Sequence, residues 1–227
     1  MGGATLGTRV TLGPHRIMPG SLGVFGGTFD PIHLAHLAVA EEAAEALGLE
    51  RIVFVPAGQP PHKPGRVITP AEHRLAMVEL AVAGNGRFAV DRLELERPGP
   101  SYTVDTLEAI RASRDAAGDS SDLVLILSGE AFLDLMTWRA PRRILELARV
   151  AVAPRDGYPD AGPEFLREHL PDLAGRATFL DSPRLRMSAS ELRARAAAGR
   201  SLRYLVPDAV AAYIGDHALY RNPRRNP

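Results

Sequence analysis

The stretch GGTFDPIHLAH at residues 26–36 decides the fold, because it joins the apolar run 22–25 to a helical pattern. Glycines let the backbone turn tightly and let its amides approach a phosphate without a Cβ in the way. His33 and His36 are three residues apart, so on a helix their rings lie on one face. Taken alone, this pair of histidines would also fit a simple turn in which both rings are solvated. We predict a strand, a glycine turn and a helix start that binds developing negative charge.

The residues that follow predict a parallel α/β sheet. A helix pattern over 34–47 ends at Gly48, which suits the left-handed cap of a helix C-terminus. The apolar run 51–56 predicts a second strand, and strand–helix–strand at this spacing is a right-handed βαβ unit. Ligands of such sheets bind beyond the carboxyl ends of the strands, where both histidines lie. Further strands are expected at 88–96, 122–127, 150–153 and 177–180.

Composition narrows the class of protein. Lys plus Arg and Asp plus Glu each number 27, so no overall charge attracts nucleic acid or a membrane surface. The lack of cysteine excludes disulfides and thiolate metal sites. We expect one domain over 21–221, after a disordered extension over 1–20 and before a tail over 222–227. With no signal-peptide pattern and no long apolar run, we expect a cytoplasmic protein.

Two loops that follow predicted strands carry polar groups on the same edge of the sheet. The string PPHK at 60–63 fits a rigid surface loop with a solvated lysine, but its position also lets Lys63 reach a phosphate. The string PSYTVDTL at 100–107 precedes a predicted helix. Ser101 or Thr103 would cap that helix, and the same free amides and hydroxyls can receive a carboxylate.

The string RMSASELR at 186–193 begins another predicted helix. Ser188 with Glu191 three residues later forms a capping box, which requires no ligand. The same helix start carries two hydroxyls and Arg193 one turn in, and such a positive end suits a triphosphate. The predicted helix 70–83 contains Arg74, which we expect to be structural or peripheral rather than catalytic.

The stretch 26–36 resembles the GGTFDPxHxGH signature of the HxGH nucleotidyltransferase superfamily, with Ala35 at the usual second glycine. The string at 186–193 is similar to the ISxTxIR motif of that superfamily, with Met187 for Ile and Ser190 for Thr. The two motifs lie roughly 150 residues apart in the expected order. The PPHK and PSYT strings resemble the bacterial nicotinate-nucleotide adenylyltransferases, and the resemblance covers 21–221.

This resemblance implies a Rossmann-like nucleotidyltransferase fold, with helices on both faces of the sheet and a small helical C-terminal part. It implies transfer of the AMP moiety of ATP to nicotinate mononucleotide in NAD biosynthesis. The residues implied in catalysis are His33, His36, Lys63 and Arg193. Those implied in ATP binding are Gly26, Gly27, Thr28, Phe29, His33, His36, Glu130, Arg155, Ser188, Ser190 and Arg193. Those implied in binding the acceptor are Lys63, Tyr102, Thr103 and Trp138.

Several alternatives stay open. Arg155 also fits a solvated loop, Trp138 also fits a core wedge, and Glu130 replaces the aspartate usual in the family. Mg²⁺ is expected on ATP oxygens and water, because the sequence shows no dedicated carboxylate cage. Other acceptors (nicotinamide mononucleotide or phosphopantetheine), an aminoacyl-tRNA synthetase and a non-catalytic nucleotide sensor are the competing functions. The sequence leaves open regulation, a homo-oligomer and the choice between nicotinate and nicotinamide mononucleotide.

Overall fold

A computed structural model describes residues 20–60, 67–157 and 159–221. The N-terminal extension predicted over 1–20 therefore lies outside the described residues, except for Gly20. The predicted tail over 222–227 and the PPHK lysine, Lys63, lie outside them as well.

The fold is built on one six-stranded sheet in which every pair of neighbouring strands is parallel, in the order β3-β2-β1-β4-β5-β6. The strands are β1 (Leu22–Gly27), β2 (Arg51–Pro56), β3 (Phe88–Val90), β4 (Leu123–Ser128), β5 (Arg149–Ala153) and β6 (Ala177–Phe179). The order in which the strands are added reverses direction between β1 and β4, and ligands of such folds bind at this point. The predicted parallel α/β class is confirmed.

Helices connect the strands, and two helices make the small C-terminal part. They are α1 (Leu34–Leu47), α2 (Ala71–Val82), α3 (Leu93–Glu96), α4 (Thr103–Ala116), α5 (Gly129–Leu133), α6 (Pro141–Leu147), α7 (Glu164–His169), α8 (Ala189–Ala197) and α9 (Asp208–Asp216), with 3₁₀ turns at Leu135–Thr137 and Pro171–Arg176. Within the described ranges, no helix has the combination of length and apolar character that a bilayer span requires.

Side chains that alternate along the strands fill two hydrophobic clusters, one on each face of the sheet. On β2, Ile52 and Phe54 belong to the first cluster, whereas Val53 and Val55 belong to the second. This alternation follows from the period of two in a strand. Both faces are therefore covered, which explains why the central strands read as continuous apolar runs.

The strand predicted over 88–96 is wrong beyond its first three residues. β3 ends at Val90, and α3 follows after a turn in which Asp91 Oδ1 accepts a hydrogen bond from the amide of Leu93, 2.9 Å away. Glu94 is buried, and its Oε1 accepts a hydrogen bond from Thr106 Oγ1 at 2.6 Å. β3 stops at Val90, where its pairing with β2 ends. The alternation that continues to residue 96 belongs to the short helix α3, which buries the Glu94 carboxylate.

Neither of the predicted caps of α4 is present. The helix begins after Tyr102, whose side chain makes no capping hydrogen bond, and no other described side chain is seen to cap the first turn. Ser101 instead binds the loop after β2, because its Oγ accepts hydrogen bonds from the amides of Gly58 (3.0 Å) and Gln59 (3.2 Å). The start of α4 is thereby fixed to the carboxyl end of β2.

Candidate active site

The carboxyl end of β1 leaves open space at the centre of the sheet edge. Gly26 is exposed, and a Cβ built on it would meet no described atom within 4 Å. A Cβ on Gly27 would lie 2.8 Å from the ring of Phe29, which packs in the core. Phe29 itself has a φ of 48°, in the left-handed region that an aromatic residue rarely adopts. The backbone of Gly26 therefore faces solvent at this turn, while Phe29 packs into the core.

The rings of His33 and His36 stack on each other at the start of α1, which follows this turn. Their ring centroids are 3.7 Å apart with an interplanar angle of 22°. Nδ1 of His36 accepts a hydrogen bond from the amide of His33 at 3.2 Å, so the proton of a neutral His36 ring lies on Nε2. The rings of Phe25 and Phe29 contact His36 edge-on at 6.0 and 5.2 Å between centroids. His36 is therefore held in one orientation with a single donor nitrogen.

His33 is a buried, neutral imidazole. Burial and, to a smaller extent, the positive charge of Arg155 lower its pKa to about 4. Its Nδ1 has no hydrogen-bond partner among the described residues, since the amide of His36 donates to His33 O at 2.9 Å. At neutral pH this ring can offer a hydrogen bond but no charge.

The first amide of α1 is already occupied, which corrects one expectation for this helix start. The amide of Leu34 donates to the carbonyl oxygen of Leu205 at 3.1 Å, in the segment before α9. That amide cannot also bind a phosphate in this conformation. At this helix start we therefore expect the two imidazoles, and not the amide of Leu34, to contact negative charge.

The C-terminal motif meets the signature stretch in space. Arg193 Nη1 donates to the carbonyl oxygen of Asp30 at 2.6 Å, and Nη2 donates to Ser190 Oγ at 3.1 Å. Half of the predicted capping box is present, because Ser188 Oγ accepts a hydrogen bond from the amide of Glu191 at 3.2 Å. Glu191 Oε2 accepts a hydrogen bond from the Ser188 hydroxyl at 3.0 Å, in place of the Ser188 amide that a full capping box uses. Two motifs that are far apart in sequence therefore lie side by side at the carboxyl edge of the sheet.

Asp30 links this edge to the end of the chain. Its carboxylate is buried, accepts a hydrogen bond from the Tyr220 hydroxyl at 2.8 Å and another from the amide of Thr69 at 3.4 Å. Burial and the negative charge of Asp30 raise the pKa of Tyr220. Sequence analysis missed this contact, because no local pattern signals a pair of residues this distant in the chain.

Glu130 and Arg155 form an ion pair beside the histidines. Glu130 lies in the first turn of α5, after β4, and Arg155 follows β5. Arg155 is near enough for its charge to lower the pKa of His33. The carboxylate of Glu130 is therefore engaged with the guanidinium of Arg155, whose charge reaches His33.

The residues expected to bind the acceptor lie along α4 and the 3₁₀ turn before α6. Tyr102 and the half-buried Trp138 both pack against the second hydrophobic cluster. The guanidinium of Arg139 lies 4.8 Å from the centroid of the Tyr102 ring and 3.3 Å from the Asp105 carboxylate. Thr103 is the first residue of α4. Tyr102 and Trp138 are therefore brought to one side of the sheet edge, while Lys63 lies outside the described residues.

Comparison with known proteins identifies similar chains along most of the length. A family described as cytidylyltransferase-like matches residues 24–195. The chain is 46% identical to a nicotinate-nucleotide adenylyltransferase of Thermomicrobium roseum over 200 residues, covering 88% of this chain and 91% of that one. A relative of the same name from a Roseiflexus strain is 48% identical, with 88% and 98% covered.

Solved structures with the same fold are more distant in sequence. The nicotinic acid mononucleotide adenylyltransferase of Plasmodium falciparum, complexed with NaAD, superimposes with a TM-score of 0.73 at 16% identity. The match covers 88% of this chain and 97% of that chain. At this identity, the similarity is evidence for the fold alone.

Proposed function

The chain belongs to the cytidylyltransferase-like family and to the nicotinate-nucleotide adenylyltransferase family, and on that basis we propose that it transfers the AMP moiety of ATP to nicotinate mononucleotide. The products are nicotinate adenine dinucleotide and pyrophosphate. The observation that carries the proposal is that His33 and His36 stack at the start of α1, while Arg193 binds the carbonyl oxygen of Asp30 in the signature stretch that also contains the exposed Gly26.

The proposed reaction needs no nucleophile from the protein. An oxygen of the acceptor 5′-phosphate attacks the α-phosphorus of ATP in line, a new phosphorus–oxygen bond forms, and the bond to the leaving pyrophosphate breaks. A phosphate is a competent nucleophile at pH 7, so the protein has to position the two nucleotides and stabilise the developing charge.

We assign the charge stabilisation to groups that surround Gly26. Nε2 of His36 donates to the triphosphate, and neutral His33 adds a second hydrogen bond without bringing a charge. The residues proposed to hold the triphosphate and pyrophosphate are Lys63, Arg155, Ser188, Ser190 and Arg193. The residues proposed to present backbone or side chain to the nucleotide are Gly26, Gly27, Thr28, Phe29 and Glu130.

We assign the acceptor to the start of α4. The first-turn amides, which no described side chain caps, suit the carboxylate of a nicotinate ring together with the Thr103 hydroxyl. Trp138, which is half-buried, is proposed to stack on that ring, with Tyr102 and Lys63 completing the site. Mg²⁺ enters this proposal with ATP, on phosphate oxygens and water, because no cluster of three His, Asp or Glu side chains that could hold a metal occurs within the described residues.

Pyrophosphate release separates the competing functions. The purified protein is given magnesium and ATP with either nicotinate mononucleotide or nicotinamide mononucleotide. We expect strong turnover with the acid and little with the amide. Equal turnover with both would keep the enzyme but remove the role of the α4 amides in selecting a carboxylate. ATP binding without turnover on either nucleotide would favour phosphopantetheine as the acceptor or a nucleotide sensor, and a direct test with phosphopantetheine distinguishes those two.

Substitution of Gly26 tests where the nucleotide approaches the backbone. Gly26→Ala places a methyl group in space that is empty in the free protein, so the melting temperature should not change. If a phosphate approaches this backbone, the KM for ATP should rise about tenfold or more, equivalent to roughly 1.4 kcal/mol. Gly86→Ala is the matched control, because its Cβ also meets no described atom within 4 Å, and it should leave KM unchanged. An unaltered KM in Gly26→Ala would contradict the assigned position of ATP.

A further inference from the structure

Arg74 is a buried arginine that the proposed mechanism does not use. Arg74, on α2, is only 1% exposed and is the largest of the fully buried side chains. Burying a cation costs free energy unless its donors are hydrogen-bonded. Here the bonds go to backbone carbonyl oxygens: Nε to Thr69 at 2.9 Å, Nη1 to Thr28 at 2.9 Å and Nη2 to Gly58 at 3.3 Å.

These carbonyls belong to the two loops that carry the proposed substrates. Thr28 lies in the turn after β1, two residues beyond Gly26 and two before Asp30, to which Arg193 binds. Gly58 lies in the loop after β2, and its amide donates to Ser101, two residues before the start of α4. The guanidinium therefore connects the turn assigned to ATP with the loop that fixes the acceptor end of the site.

The geometry of these bonds requires a guanidinium. Arginine has five N–H donors in a rigid plane, so one side chain can bond three carbonyls that diverge in direction. A lysine ammonium at the same place has neither the reach nor the fixed plane. Burial lowers the pKa of Arg74, while the negative charges of Asp30 and Glu72 oppose that shift. An arginine side chain stays cationic at neutral pH.

We propose that Arg74 is a positioning residue, which holds the turn after β1 and the loop after β2 at the separation that aligns the acceptor phosphate with the α-phosphorus of ATP. The inference rests on the proposed adenylyl transfer. Arg74 is buried away from solvent and acts only through the backbone it binds. It therefore governs how the two bound nucleotides meet, more than how tightly each one binds alone.

The test compares Arg74→Lys and Arg74→Met with Val78→Ala, because Val78 is a buried residue of the same helix and belongs to the first hydrophobic cluster. Measured quantities are the melting temperature, kcat, and the Kd of each nucleotide alone by titration calorimetry. Because misplacement by about 1 Å can cost about 100-fold in rate, we expect kcat to fall 10- to 100-fold in both Arg74 variants. Each Kd should change by less than about threefold, or under 0.7 kcal/mol. Val78→Ala should lower the melting temperature but leave kcat unchanged.

Each other outcome overturns the inference in a recognisable way. A wild-type kcat in folded Arg74→Met, or a kcat loss in Val78→Ala equal to that of the arginine variants, would reduce Arg74 to a stabilising residue. Failure of both arginine variants to fold would do the same. Parallel loss of both nucleotide affinities would indicate direct binding effects in place of alignment. If the wild-type protein itself releases no pyrophosphate, the proposed function fails, and this inference fails with it.

Discussion

His36→Ala should lower kcat for adenylyl transfer by about 10²–10³-fold, the loss typical of removing one preorganised donor to a developing negative charge. The expectation follows from the orientation of this ring. Its Nδ1 is committed to the amide of His33, and the rings of Phe25 and Phe29 pack against it. The donor on Nε2 is therefore fixed before the nucleotide binds, so it needs no reorganisation during the reaction.

The substitution also removes the acceptor for the His33 amide at the start of α1. Losing such a cap costs about 0.5–2 kcal/mol of stability, so the melting temperature and kcat have to be measured on the same preparation. His73→Ala is the matched control. It removes an imidazole whose Nδ1 is hydrogen-bonded to the Tyr213 hydroxyl at 2.9 Å, between α2 and α9. His73→Ala should keep wild-type kcat, and a kcat within tenfold of wild type in folded His36→Ala would contradict the catalytic role.

Local patterns were sufficient to predict those parts of the fold in which one segment determines its own structure. The helix predicted over 34–47 is α1, and its end at Gly48 is confirmed by a φ of 62°. The strand predicted over 51–56 is β2, because a run buried on both faces has a distinct composition. The segment 88–96 failed, since alternation over a few residues fits both the short β3 and the helix α3.

The supporting contacts of the candidate site could not be predicted in this way. Sequence analysis expected Arg74 to be structural or peripheral, and nothing local shows that its partners are backbone carbonyls on two loops. Ser101 was predicted as a helix cap, but it binds amides 42 and 43 residues away. Which backbone groups a side chain can bond depends on which loops pack together in the fold. The residue types of a single segment do not reveal that packing.

Gly58→Ala should be the most disruptive small substitution at this site. A Cβ built on Gly58 would lie 2.2 Å from the carbonyl oxygen of Glu94, a backbone atom that cannot rotate away. The side chain of Glu94 is buried and bonded to Thr106, so α3 cannot shift without loosening that contact. We expect a loss of about 3 kcal/mol in the free energy of unfolding, at the upper end of typical overpacking. That loss corresponds to a fall of roughly 10 °C in melting temperature.

The same displacement should also lower catalytic activity, because Gly58 is hydrogen-bonded to residues on both sides of the site. Its carbonyl accepts from Arg74 and its amide donates to Ser101. A loop moved by about 1 Å should lower kcat/KM for the acceptor about 100-fold, beyond any loss explained by unfolded protein. Gly86→Ala, which meets no described atom within 4 Å, should change neither quantity. A wild-type melting temperature and wild-type turnover in Gly58→Ala would mean that α3 and the loop after β2 can separate at no cost in free energy. Their close contact would then have no part in positioning the acceptor.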